Sequence, residues 1–136
     1  MMVIATSLEI QFYQSLGKLF YAIAASDKIV REAEVETLIE LVKSEWVPMD
    51  DFEDEYQVDT AYQIETVFDW LDCEGGLSVD SCFDEFKLFK KENESLFIEK
   101  RKQLIWKTCN AIANSFSGKN KSEIIILARL KMILKE

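Results

Sequence analysis

Apolar side chains recur at helical spacing along almost the whole chain, and no segment alternates with the period of two that a half-buried strand requires. Leu8, Phe12, Leu16, Leu19, Phe20 and Ile23 fall on one stripe of a helix that ends near Ala25. Val35, Leu38, Ile39, Val42 and Trp46 mark a second helix, which Pro48 should stop. Asp50 with Glu53 fits a capping box for a short turn or helix around Phe52. A helix over about 59–72 carries Ala61, Ile64, Val67, Phe68 and Leu71, and Gly75 and Gly76 end it. Ser78 is a good N-cap for the next helix, whose face is Phe83, Phe86 and Phe89. Asn93–Ser95 interrupts the pattern weakly, so the flanking segments read either as two helices or as one. Ile98, Ile105, Cys109, Ile112 and Phe116 mark a long helix. Gly118 then turns the chain, and Asn120 with Glu123 opens a last helix to about Leu134. Four glycines and one proline in 136 residues leave room for few turns. The expectation is one all-α domain over 1–136, a bundle of about six to seven helices.

The chain contains no histidine, which removes Ser-His and Cys-His catalysis and His-ligated metals. There is no glycine-rich phosphate loop and no nucleophile elbow, so the reading is of a protein that is not an enzyme. Cys73, Cys82 and Cys109 form no CxxC pair and read as small hydrophobes in a reducing cytoplasm. Trp46, Trp70 and Trp106 sit in helical stripes and are expected in the core. Glu65, Asp69 and Asp72 fall on one helix and read as a polar outer face. The first residues lack the charge pattern of a secretory signal, and the most apolar run, Ile124 to Leu134, is too short to span a bilayer.

The net charge is −9, which argues against nucleic-acid binding, since phosphate contacts need Lys and Arg in excess. That charge is unevenly placed. Residues 1–49 carry −3, residues 50–99 carry −13 and residues 100–136 carry +7. Opposed helix faces meeting across the fold would explain the imbalance, and so would two poles that meet different partners. The run Asp50-Asp51-Phe52-Glu53-Asp54-Glu55 is not an EF-hand loop, because Phe52 stands at a ligand position and the glycine is missing.

An internal repeat is visible at an offset of 89 residues. Leu16 matches Ile105, Ile23 matches Ile112, Ala24 matches Ala113, Glu34 matches Glu123, Leu38 matches Leu127 and Leu41 matches Leu130. Each copy is a helix, a short turn and a helix with an acid in its first turn. Two pseudo-repeated hairpins, near 8–45 and 98–134, are therefore expected to pack together about a pseudo-twofold axis.

The first copy, Ile23-Ala24-Ala25-Ser26-Asp27-Lys28-Ile29-Val30-Arg31-Glu32-Ala33-Glu34, resembles the tellurite-resistance TerB-like domains. Their hallmark is a helix ending in Ala-Asp-Gly, then an aliphatic residue, then a Glu that opens the next helix. The second copy, Ile112 to Glu123, resembles the same pattern. The resemblance covers about half the chain. It implies an all-α, non-catalytic domain used in stress responses, with acids near the hairpin turns that bind a divalent cation. Carried over, the metal candidates are Asp27, Glu34 and Glu123. Two departures weaken them: Lys28 replaces the Gly, and Phe116 or Ser117 stands where the second copy should have Asp. Three carboxylates beside a Lys make a poor cage for a hard cation, which wants six or more oxygens. A turn role for Asp27 and first-turn positions favoured by the helix dipole for Glu34 and Glu123 compete with ligation. The expectation is at most weak divalent-cation association, no cofactor, and action through an acidic surface toward a protein partner. The alternative is a self-associating helical protein without a ligand, a homodimer formed through Ile124–Leu134, because that segment is apolar almost all round.

Overall fold

A computed structural model describes residues 3–4, 7–50, 52–53, 60–75, 78–115 and 121–135. Among them, seven α-helices run in order: α1 Ser7–Ala24, α2 Glu32–Leu41, α3 Val47–Asp50, α4 Gln63–Glu74, α5 Val79–Glu92, α6 Glu99–Asn114 and α7 Lys121–Lys135. The fold is all-α, as the periodicity predicts. The described residues add one pair of two-residue strands, β1 Val3–Ile4 and β2 Phe52–Glu53, which lie parallel with Val3 opposite Phe52 and Ile4 opposite Glu53. In place of the short turn or helix expected around Phe52, Phe52–Glu53 is a strand. Its backbone groups are used in the pairing with β1, and the Asp50–Glu53 capping box has no helix to cap.

The helix buried most completely is α1. Phe12, Tyr13, Leu16, Leu19, Phe20, Ala22, Ile23 and Ala24 are all buried, and the helix packs against α4, α5, α6 and α7. Burial on that scale, at about 25 cal/mol per Å² of apolar surface, makes α1 the principal source of hydrophobic stabilisation. Its contact with α4 is close. A Cβ on Gly17 would stand 2.8 Å from the Ile64 carbonyl oxygen and 2.8 Å from Val67 Cβ, so only glycine lets the two backbones approach.

Pro48 does not stop the second helical segment. The chain widens into a π turn over Val42–Trp46, in which the Val47 N–H donates to the Val42 carbonyl, and Pro48 follows inside α3. A proline in a first turn lacks only a donor that the turn leaves unused, so the wider turn carries the chain past it. The π turn also presents Trp46 to the core, where its Nε1–H donates to Thr108 Oγ1 at 3.0 Å. Tyr13 and Phe20 meet the Trp46 ring, Tyr13 edge-on.

Two helix ends follow their sequence signals. Gly75 takes the left-handed conformation, φ 66°, after α4, and the Ser78 Oγ accepts from the Ser81 N–H at 3.1 Å to open α5. Asn93 and a 3-10 turn over Glu94–Leu96 separate α5 from α6, which settles that junction as a break. Gly76, Phe116, Ser117, Gly118 and Asn120 lie outside the described residues, as do Asp51, Asp54 and Glu55 of the acidic run.

Several apolar residues fall outside the core. Trp70 is 55% exposed, because α4 turns Ile64, Phe68 and Leu71 inward and position 70 lies on the opposite side. Leu8, Ile39 and Ile98 are exposed as well, while Trp46 is buried and Trp106 half-buried. Glu65 departs from the expected solvated face: it is half-buried, and its Oε1 has no hydrogen-bond partner among the described residues. Burial and the neighbouring Asp69 raise its pKa. The thiols of Cys82 and Cys109 are buried and that of Cys73 is exposed.

Candidate functional site

The turn between α1 and α2 builds one half of the site. Lys28 N–H donates to the Ala25 carbonyl at 2.8 Å, and Lys28 takes φ 70°. This is the left-handed region that favours glycine, and in this chain it holds a lysine with an exposed side chain. The turn is clamped by Asp27. Its Oδ1 accepts from the Ile29 N–H at 3.1 Å, and its Oδ2 accepts from Arg31 Nη1 at 2.9 Å.

Glu34, in the first turn of α2, accepts from the Arg31 N–H at 2.8 Å and is 1% exposed. Glu123, in the first turn of α7, is 2% exposed. The two carboxyl groups face each other, and both the charge of Glu123 and hydrogen bonding to it act to raise the Glu34 pKa. Two of the three metal candidates therefore meet directly, across 89 residues of chain. The third, Asp27, joins them through Arg31, whose guanidinium lies 2.9 Å from Asp27 and 3.9 Å from Glu34 and feels the charge of Glu123.

The electrostatics follow from this geometry. Burial is the largest influence on Glu34, and the charge and hydrogen bond of Glu123 act in the same direction. Together they outweigh Arg31 and push the Glu34 pKa up to about 7. Asp27 goes the other way. Burial acts to raise its pKa, but the hydrogen bonds from Arg31 and Ile29 and the guanidinium charge hold it below the ordinary carboxylate range.

The donor set fits a divalent cation poorly. Asp27 already accepts from a guanidinium and an amide, Glu34 accepts from an amide and faces Glu123, and the positive charge among these acids is Arg31 itself. Among the described residues, no three His, Cys, Asp or Glu side chains are grouped to hold a metal ion. Sequence reasoning treated Lys28 as the competing cation and missed Arg31. The signal was available, since Arg31 stands four residues after Asp27 and three before Glu34.

No family model matches the chain, and neither a curated protein nor a solved structure does. Among the described residues, no helix is long and apolar enough to cross a membrane.

Proposed function

We propose that this chain is a non-catalytic binding domain of the TerB-like kind, serving a stress response, in which Glu34 and Glu123 join the two motif copies and a divalent cation binds at most weakly. The observation that carries the reading is the meeting of those two glutamates. Each is the acid that opens the second helix of its motif copy, and the fold buries them against each other. The conformation of Lys28 adds support, because it stands where the resembled motif has Gly and keeps a glycine-like backbone. Arg31 takes the cation's place as the positive charge among Asp27, Glu34 and Glu123. The acidic surface that would face a protein partner is the −13 segment over residues 50–99. Calorimetric titration of metal-free protein with calcium, magnesium and zinc tests the cation side. The expected result is no micromolar binding; micromolar binding that disappears in the Asp27→Asn, Glu34→Gln double variant would overturn it.

A second reading rests on α7. Its inner face, Ile126, Leu127, Leu130 and Ile133, is buried, but Ile124, Ile125 and Met132 are 54%, 53% and 70% exposed. Ile124, Ala128 and Met132 stand four residues apart on one outer stripe that a second copy would cover. Light scattering over a concentration series tests this homodimer. A monomer at every concentration removes it, and a dimer abolished by Met132→Glu supports it.

A further inference from the structure

The C-terminal helices leave a groove whose chemistry differs from the rest of this acidic chain. It lies between the first half of α6 and the last turns of α7, with a volume of about 230 Å³. Its apolar floor is Trp106 and Leu134, both half-buried and packed on the core. Lys102, Lys131 and Lys135 surround that floor, with Glu99 at the start of α6. None of the three lysines has an ion-pair partner among the described residues, whereas Lys18, Lys90 and Lys107 all pair with a Glu. The groove thus combines an aromatic seat with three lysines that form no ion pair among the described residues, in a protein of net charge −9.

The dimensions narrow the occupant. Pockets for cofactors and drug-sized molecules run from about 300 to 1,000 Å³. This groove is smaller, so it suits one apolar side chain presented by a longer ligand. The charge selects a partner with carboxylates beside that side chain. A nucleic acid would also offer a ring and negative charge, but binding it calls for a run of phosphate contacts, and the −13 segment of the same chain opposes one. We infer that the α6–α7 groove docks an acidic peptide segment of a partner protein, an aromatic or large aliphatic side chain seated on Trp106 and Leu134 and its flanking carboxylates on Lys102, Lys131 and Lys135. This surface is separate from the Glu34–Glu123 site and does not depend on the function proposed for it.

The probe is a synthetic peptide, acetyl-Glu-Asp-Phe-Glu-Asp-amide, titrated into the full chain at low ionic strength, with binding read by calorimetry and located by amide chemical shifts. The expected result is binding whose shifts centre on α6 and α7 and that weakens as salt is added. Replacing the peptide's Phe by Ser is expected to weaken binding about tenfold or more, since the seat loses its apolar occupant. The Lys131→Glu, Lys135→Glu double variant is expected to weaken it to a similar degree. Both positions are exposed, so that variant leaves the core intact. Absence of binding at millimolar peptide, or binding indifferent to both changes, would overturn the inference. So would tighter binding of an oligothymidylate than of the peptide, which would make the groove a nucleic-acid site. A dimer of the free protein that the double variant dissolves would assign the groove to a second copy instead.

Discussion

Glu34, in the first turn of α2, and Glu123, in the first turn of α7, face each other with both side chains almost wholly buried, and the Glu123 carboxyl acts to raise the Glu34 pKa. Two like-charged acids in that position cannot both ionise without strong mutual repulsion. Below about pH 7 the native state therefore holds a proton on Glu34, and the protein's stability is tied to pH.

The sign of that dependence follows from Glu34. Its native pKa, about 7, lies above its ordinary value of 4.5. Between those values the native state binds more proton than the unfolded chain, so stability from this site is fully present below about pH 4.5 and declines as pH rises toward 7. A tenfold difference in proton affinity between the two states corresponds to about 1.4 kcal/mol. Urea denaturation from pH 5 to pH 8 should show the decline, and Glu34→Gln, which keeps an acceptor for the Arg31 N–H but cannot ionise, should flatten it. A wild-type curve as flat as that of the variant would show that the pair holds no proton.

Lys28→Gly should stabilise the domain. A non-glycine residue in the left-handed region costs roughly 1–2 kcal/mol, and glycine gives back part of that through its greater unfolded freedom, so the net gain is about 0.5–1 kcal/mol. The Lys28 side chain is exposed, so little contact is lost. A rise in the urea midpoint at unchanged slope is the expected observation.

Gly17→Ala should destabilise it, against helix propensity. Alanine gains about 1 kcal/mol over glycine in a helix interior, but the new methyl would stand 2.8 Å from a backbone oxygen of α4, and overpacking costs about 1–3 kcal/mol. Backbone cannot swing aside as a side chain can, so the clash outweighs the propensity gain. A lowered thermal midpoint checks this, and an unchanged or raised one would mean that α1 and α4 separate at little cost.

Thr108→Val keeps the shape of the core but removes the acceptor for the Trp46 Nε1–H. Leaving that donor buried and unsatisfied should cost about 1–3 kcal/mol. The Trp46→Phe, Thr108→Val double variant should recover part of the loss, because it removes the orphaned donor as well. Equal stability of the single and double variants would show that the hydrogen bond carries little.

Local sequence determined the helices and most of their ends. Apolar spacing sets a helix's inner face, and a left-handed Gly75 or a capping Ser78 acts within one turn, so these features need no knowledge of the rest of the molecule. The candidate acids Asp27, Glu34 and Glu123 were legible for the same reason, as residues of a motif. What they do together was not, because the partners are distant in the chain. Glu34 meets Glu123 across 89 residues, and buried Arg101 reaches Glu9 of α1 at 3.0 Å across 92. The near-continuous apolar run of α7 left open whether it is buried centrally or shared with a second copy; the fold buries α1 most completely and leaves Ile124, Ile125 and Met132 of α7 exposed. Periodicity states which face of a helix is apolar, but the number of neighbours that cover it depends on how all the helices pack. The same packing places Trp70 in solvent and carries the chain past Pro48 through a π turn that presents Trp46 to Thr108. Burial and charge pairing are sums over neighbours that only the tertiary structure brings within a few ångströms, and there the physical chemistry of this protein's acids was decided.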